Sequence, residues 1–324
     1  MPPEDPAPSD PTDTTAGSAP TAAAGDSVAV FEAHRARLLA LAYRMLGDVG
    51  RAEDVVQDAW LRWHAHAAEA RSPEAYLVTL VTRLCLNELD SARIRREDHR
   101  SDRLPEPVDL DVVGMGRVEA LELVSMAFLV VLQRLTPAER AVLLLHDVFE
   151  LGHGEIAELV GKTAAGCRKL LERARHSVAA EKRLFTAPPE QHRRLLTAFI
   201  AAARAGDVEA LASLLSDDVA LTTDGGARGR RAAGVRNLPR PLEGAARVAA
   251  FVVAVTERNA GSLDPEIREL NGQPALVLRA SDGLLGAILL AVHDDKIHRV
   301  FFHGDPERLG HLGLDAVGRP AVRS

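Results

Sequence analysis

Cysteine is almost missing from this chain of 324 residues. Cys85 and Cys167 are the only two, in different helical segments, so they can build neither a disulfide framework nor a thiolate metal site. Both read as small buried apolar residues. No metal or cofactor motif is expected. Aromatic residues make up 4% of the chain, so its cores must be assembled from Ala, Leu and Val. Tyrosine occurs only at Tyr43 and Tyr76. No run is long and apolar enough to cross a membrane. The N-terminus also lacks the basic start and apolar stretch of a signal peptide. A cytoplasmic location without a membrane partner is the default expectation. Positive charge is not in surplus either: Lys and Arg number 39 against 46 Asp and Glu, a formal net charge of −7. That argues against binding nucleic acid over the whole surface.

The charge that is present is unevenly spread. Glu4, Asp5, Asp10, Asp13 and Asp26 load residues 1–27, a Pro/Ala/Ser/Thr-rich segment expected to be a disordered acidic tail. Arg93, Arg95, Arg96, Arg100 and Arg103 form one basic run. Lys162, Arg168, Lys169, Arg173, Arg175, Lys182 and Arg183 form a second. From Val28 the apolar residues recur with helical period through "VAVFEAHRARLLALAYRMLGD" and "DVGRAEDVVQDAWLRWHAH". A third helix starts at Ser72-Pro73-Glu74 and ends in the first basic run. The segment "DHRSDRLPEPVDLDVVGMG" then reads as an extended linker. Helices resume near Val118, with Thr136 as N-cap and Pro137 in the first turn of one of them.

"GEIAELVGKTAAGCRKLLERARHSV" has the pattern of a helix-turn-helix. Ile156, Ala157, Leu159 and Val160 form a buried face, and Gly161 sits where the turn requires a positive φ. Thr163 caps the second helix. Ala164 and Ala165 are small enough for a close approach to base edges, and Arg168, Lys169, Arg173 and Arg175 point outward. The alternative is a helical hairpin with a solvated basic face. Past Pro188-Pro189 the texture changes. Two helical segments, "EQHRRLLTAFIAAARAG" and "DVEALASLLSDD", precede a Gly/Arg-rich loop, a short helix and a strand meander with turns at Asn271-Gly272, Asp282-Gly283 and Asp294-Asp295. This is the order of a small α+β domain.

Three segments carry a resemblance to a known family. "RAEDVVQDAWLRWHAH" resembles the polymerase-binding segment of the sigma-70 family, and "AYLVTLVTRLCLNELDSARIRRE" its −10-reading helix. "LTPAERAVLLLHDVFELGHGEIAELVGKTAAGCRKLLERARHSV" resembles its −35-reading domain. Their order, with no domain between, resembles the extracytoplasmic-function (ECF) group. "RLPEPVD", "DGG" at Asp224–Gly226 and "GDPERL" at Gly304–Leu309 resemble motifs of the branch carrying a C-terminal SnoaL-like (NTF2-like) domain. The second motif continues Ala-Arg where the branch has Gly-Lys, and Asn87 stands where Asp is usual.

The resemblance implies a multidomain fold: two all-α sigma domains, helical region 2 and helix-turn-helix region 4, plus a C-terminal α+β NTF2-like cone. Region 2 would span 28–100, the linker 101–117, region 4 118–185, the SnoaL-like unit 189–310 and a tail 311–324. The implied partners are bacterial core RNA polymerase, through its β′ clamp helices and β subunit, and promoter DNA. Asp54, Gln57, Asp58 and Leu61 would meet polymerase. Arg83, Asn87, Arg93 and Arg96 would face the −10 element, and the loop His66–Ser72 would hold a flipped base. Thr163, Ala164, Arg168, Lys169 and Arg173 would serve the −35 duplex. Leu104, Pro105, Glu106 and Pro107 would meet Asp224, Gly225, Gly226, Asp305, Pro306 and Leu309 in an intramolecular regulatory contact. The implied activity is promoter selection rather than catalysis, and an unknown small ligand for the C-terminal unit stays open. Two other classes also remain open: a ligand-responsive helix-turn-helix repressor or activator, and an NTF2-like enzyme using Asp224 with His298 or His303.

Overall fold

The computed structural model describes residues 20–66, 72–94, 103–115, 125–184, 186–225, 238–280 and 283–312. Three helices come first: α1 (Pro20–Leu46), α2 (Val49–His66) and α3 (Pro73–Ile94). Helix α1 begins within the segment expected to be a disordered tail. Its early residues are alanine-rich, which favours a helix, and the Ser27 carbonyl accepts the Trp63 indole N–H at 2.8 Å. Gly47 ends α1 with φ +67, its N–H returning to the Tyr43 carbonyl at 2.7 Å. Asp48 then opens α2, accepting the Arg51 N–H at 2.9 Å. Val49, Ala52, Val55, Val56, Ala59 and Trp63 form the buried stripe of α2.

Four helices follow the linker: α4 (Met126–Arg134), α5 (Pro137–Asp147), α6 (His153–Val160) and α7 (Ala164–Glu181). Thr136 and Glu139 form a reciprocal capping box at α5. The two helical sets are not independent bodies. They share one apolar core, and buried Arg140 of α5 donates to the Leu132 carbonyl at 2.8 Å and also to the Met45 carbonyl at the end of α1. Arg37 of α1 donates to the Val148 carbonyl at 3.2 Å and lies 4.6 Å over the Phe149 ring.

The C-terminal unit has α8 (Pro189–Ala205), α9 (Val208–Leu214) and α10 (Ala245–Arg258) against a six-stranded sheet ordered β2-β1-β6-β5-β4-β3. The strands are β1 (Leu215–Asp224), β2 (Leu242–Glu243), β3 (Asp264–Leu270), β4 (Gln273–Ala280), β5 (Gly283–His293) and β6 (Lys296–His303). Among the described residues only the β1–β6 pair is parallel. This is the expected α+β cone. The turns at 271–272 and 294–295 fall where the sequence puts them, whereas 281–282 lies outside the described residues. One element differs: Leu215–Asp218, read as the end of a helix, is the start of β1. Leu215 and Val219 are buried and Asp217 and Asp218 exposed, a pattern too short to set strand apart from helix by periodicity. A short helix α11 (Pro306–Leu309) and a 3-10 turn at 310–312 close the described chain. Leu312 is buried in the core shared with the helical units.

Both faces of this sheet are covered. Leu221, Leu276, Leu290 and Val300 pack with α8–α10. Their strand neighbours Ala275, Val277, Leu289, Ala291 and Phe301 join the core of the preceding helical units. Strand alternation thus supplies two cores from one layer. Gly47 lies at this junction: a Cβ there would meet the Gln133 amide nitrogen at 2.9 Å and Pro105 at 3.6 Å. With the left-handed backbone, Gly47→Ala should destabilise the fold by about 1–2 kcal/mol. Denaturant titration of the two proteins measures it.

Candidate functional site

Asp54, Gln57, Asp58 and Leu61 lie at helical spacing on the exposed side of α2, opposite its buried stripe. Leu61 is 61% exposed, the most open large apolar residue among those described. Arg83 and Asn87 stand one turn apart on the exposed side of α3. Arg93 belongs to α3, but its side chain, Arg96 and loop residues 67–71 lie outside the described residues.

The helix-turn-helix is α6 and α7. Gly161 adopts φ +63, and the Thr163 hydroxyl accepts the Gly166 N–H at 3.0 Å. Ala164 packs partly against the core, while Arg168 and Lys169 are exposed. Arg173 is more constrained, since its Nε donates to Glu139 at 2.7 Å and ties α7 to α5. Burial opposes ionisation of Glu139, but the Arg173 and Thr136 hydrogen bonds outweigh it and hold the carboxyl below its ordinary range.

Of the segment expected to be an extended linker, residues 103–109 form neither helix nor strand, 110–114 fold into a turn, and Leu104–Val108 are buried from both sides. On the α1–α2 side, the Gly47 carbonyl accepts the Glu106 N–H at 2.9 Å. The Val49 N–H donates to the Glu106 carboxylate at 2.7 Å, and the Tyr43 hydroxyl donates to the Glu106 carbonyl. On the sheet side, Arg308 reaches four acceptors at once. It donates to the Glu106 carboxylate at 2.9 Å, the Asp224 carboxylate at 2.6 Å, the Leu104 carbonyl at 2.9 Å and the Gly47 carbonyl at 3.5 Å. Asp224 also accepts the Leu104 N–H at 3.1 Å. Asn271, at φ +53 in the β3–β4 turn, pairs with Val108 as a strand would: its N–H donates to the Val108 carbonyl at 2.7 Å and its amide oxygen accepts the Val108 N–H at 3.0 Å. The Asn271 amide nitrogen then donates to the Tyr43 hydroxyl at 2.9 Å. His311 lies 2.8 Å from the Pro107 carbonyl, and Arg268 donates to Asp109 at 2.8 Å.

The family description "Sigma-70 region 2" matches residues 30–95, and "Sigma-70, region 4" matches 125–177. The chain is 38% identical over 235 residues to "ECF RNA polymerase sigma factor SigJ" of Mycobacterium tuberculosis, covering 71% of this chain and 73% of that one. It belongs to the ECF RNA polymerase sigma factors. A second M. tuberculosis relative, "Probable ECF RNA polymerase sigma factor SigI", is 32% identical over 90% of this chain and 97% of its own length. The crystal structure of M. tuberculosis SigJ superposes with a TM-score of 0.70 at 30% identity, covering 88% of this chain and 98% of that one. The protein is therefore a sigma factor, directing core RNA polymerase to promoters.

Within this ECF sigma factor, α1–α3 carry the region 2 match, α4–α7 carry the region 4 match, and the α+β sheet unit follows them. Of the residues expected at the regulatory contact, Asp224 meets the linker directly, and Gly225 is buried beside it. Gly226 lies outside the described residues. Asp305 instead caps α11, accepting the Glu307 N–H at 3.2 Å, and Pro306 is exposed. Leu309 is buried in the shared core. Sequence reasoning does not find Tyr43, Arg268, Asn271 or His311. Arg308 stands inside the Asp305–Leu309 motif expected at this contact, and Asn271 in an expected turn whose sequence gives no sign of its grip. Of the polar groups proposed for an NTF2-like enzyme, His298 stands apart, 3.3 Å from Asp218, while His303 pairs in register with Asp224 across β1 and β6. Asp224 is engaged by the Leu104 N–H and Arg308, and His303 is buried. Burial, with Arg308 nearby, draws His303 down to about 3, so its ring is neutral.

Burial pushes the Glu106 carboxyl up to about 7, and the nearby Asp48 carboxylate adds to the rise; Arg308 and the Val49 N–H oppose it. Burial disfavours the Arg308 charge, yet Glu106 and Asp224 outweigh that and raise it. Removing the guanidinium leaves two buried carboxyls without their counter-ion. Arg308→Met should therefore cost about 3–5 kcal/mol, read by denaturant titration. The Glu106 rise sets a pH dependence. The folded carboxyl keeps its proton to about 7, whereas the ordinary value is 4.5. In that window the folded state holds the extra proton, so this group's contribution to stability falls as pH rises from 4.5 to 7 and is level above. Glu106→Gln should remove that decline when unfolding midpoints are compared across the same pH range.

Proposed function

We propose that this sigma factor rests in a closed form, held by the NTF2-like domain's grip on the linker, and that binding core polymerase opens it. The observation that carries this reading is the shared core of regions 2 and 4. The −10 and −35 elements lie about 25 base pairs apart, on the order of 80 Å at roughly 3.4 Å per pair. Helices joined by Arg140 and Arg37 cannot serve both at once. Extended at roughly 3.3 Å per residue, the chain from Arg103 to Ser125 reaches on the order of 70 Å. Regions 2 and 4 can therefore part once the linker is released. Opened on polymerase, the two act as linked weak modules with a high effective concentration on one DNA.

In this reading Asp54, Gln57, Asp58 and Leu61 dock on the β′ clamp helices. The exposed Leu61 supplies apolar anchorage and the carboxylates supply complementarity. Arg83, Asn87, Arg93 and Arg96 serve the −10 element, with the 66–72 loop taking the flipped base. Arg168 and Lys169 meet −35 phosphates or base edges, with Thr163 and Ala164 at the helix tip; Arg173 joins them by exchanging Glu139 for DNA. Leu104, Pro105, Glu106 and Pro107, gripped by Asp224 and by Arg308 of the Asp305–Leu309 segment, form the regulatory contact. The protein acts where polymerase and DNA are, in the cytoplasm, and promoter selection needs no catalytic group of its own.

Reconstituted transcription with core polymerase and genomic promoter fragments tests the assignment. Leu61→Arg should weaken core binding by about tenfold or more. Arg168→Ala with Lys169→Ala should leave core binding intact and cut initiation. Core binding unchanged by Leu61→Arg, or initiation unchanged by the Arg168/Lys169 pair, would overturn those roles.

A further inference from the structure

We infer that the NTF2-like domain holds a binding site for a neutral, largely hydrocarbon small molecule. The site is the cavity between α8, α10 and the helix-bearing face of the sheet. Its volume is about 360 Å³, within the roughly 300–1,000 Å³ that small-molecule sites occupy. Phe199, Leu221, Phe251, Leu276, Ile288 and Phe302 supply much of the wall. The polar side chains in the wall are already engaged within the protein. The Thr223 hydroxyl accepts the Leu238 N–H at 2.8 Å, Thr256 donates to the Val252 carbonyl at 2.9 Å, and Asn259 donates to the Val255 carbonyl at 2.7 Å. The charged lining residues, Arg204 and Glu257, are exposed. A phosphate, carboxylate or nucleotide would find no buried counter-charge there. Water needs two to four polar partners and finds few. An uncharged apolar molecule gives up no hydrogen bonds on entry and removes its own surface from water.

The cavity shares its wall with the linker grip. Leu221 and Thr223 line it, and the next residue, Asp224, holds Leu104. Phe302 lines it, while Phe301 and His303 are buried toward the other side. Occupancy is thus felt one residue away from the linker. That consequence, unlike binding itself, rests on the closed-form reading above.

The test uses the full chain without polymerase or DNA. N-phenyl-1-naphthylamine is a neutral dye that fluoresces in apolar surroundings; 1-anilinonaphthalene-8-sulfonate has similar rings and a charge. The neutral dye should bind saturably at one site, and the sulfonate about tenfold more weakly or worse. Val252→Phe, which fills the cavity, should weaken the neutral dye by about tenfold, while Ile267→Ser, at an exposed apolar residue outside it, should not. Equal binding of the two dyes, or retained binding in Val252→Phe, overturns the site. Should Val252→Phe fail to fold, photolabelling of the unaltered protein with benzophenone decides: label in 199–204, 221–223, 251–265, 276–278, 288 or 300–302 supports the cavity, and label confined to other residues overturns it. Hydrogen exchange at the Leu104 and Val108 amides should change when the neutral dye saturates. Unchanged exchange with bound dye overturns the coupling and leaves the closed form to the transcription assay.

Discussion

The arrangement of this molecule depends on one guanidinium. Arg308 stands between Glu106 of the linker and Asp224 of β1, with the Leu104 carbonyl as a third acceptor. Buried charges cost much to desolvate, and a pair of buried carboxyls more so. The set is favourable only when complete, so it specifies geometry more than it adds raw stability. Region 2 takes part because the Val49 N–H and the Gly47 carbonyl hold the same glutamate. Three segments far apart in the chain are thereby fixed at one point, and the apolar layers around them supply the bulk of the binding.

Much of the local structure was legible in the sequence because local physics decides it. Thr136 and Thr163 announce helix starts through capping, Gly161 announces a left-handed turn, and the stripe from Val49 to Trp63 announces which side of α2 faces inward. Partner choice at the linker was legible only through the family resemblance, which put Leu104–Pro107 against Asp224. Read from its residues alone, "RLPEPVD" is no more than part of an extended linker. Its burial comes from Tyr43, Asn271 and Arg308, and no periodicity links residues so distant. Asn271 shows the limit well: its dipeptide with Gly272 predicts a turn, and the turn conformation says nothing of what its amide will grip. The start of α1 was missed for a similar reason, since Trp63 engages Ser27 only through the fold.

The surfaces assigned to polymerase and to DNA differ in physical character. The α2 stripe couples carboxylates to an exposed leucine, a combination suited to protein rather than to a polyanion. The outer side of α7 couples Arg168 and Lys169 to small residues at its start. A net charge of −7 is compatible with DNA recognition when the cations are gathered on such faces and the rest of the surface is acidic. Glu139 and Asp147 also hold Arg173 and Arg175 by ion pairs, so part of the positive face is neutralised before any DNA arrives.

The sheet with two covered faces bears on the history of the chain. A domain that fronts water on one side can be separated from its neighbours by a break in the gene, and each piece remains soluble. Here Ala275, Val277, Leu289, Ala291 and Phe301 are already interior residues of the assembly. Cutting the gene between region 4 and α8 would create two proteins with matching sticky surfaces, each prone to aggregate before finding the other. Once such a face has lost its polar residues, the fusion acts as a ratchet, and the C-terminal unit can no longer be inherited apart from the helices it packs on.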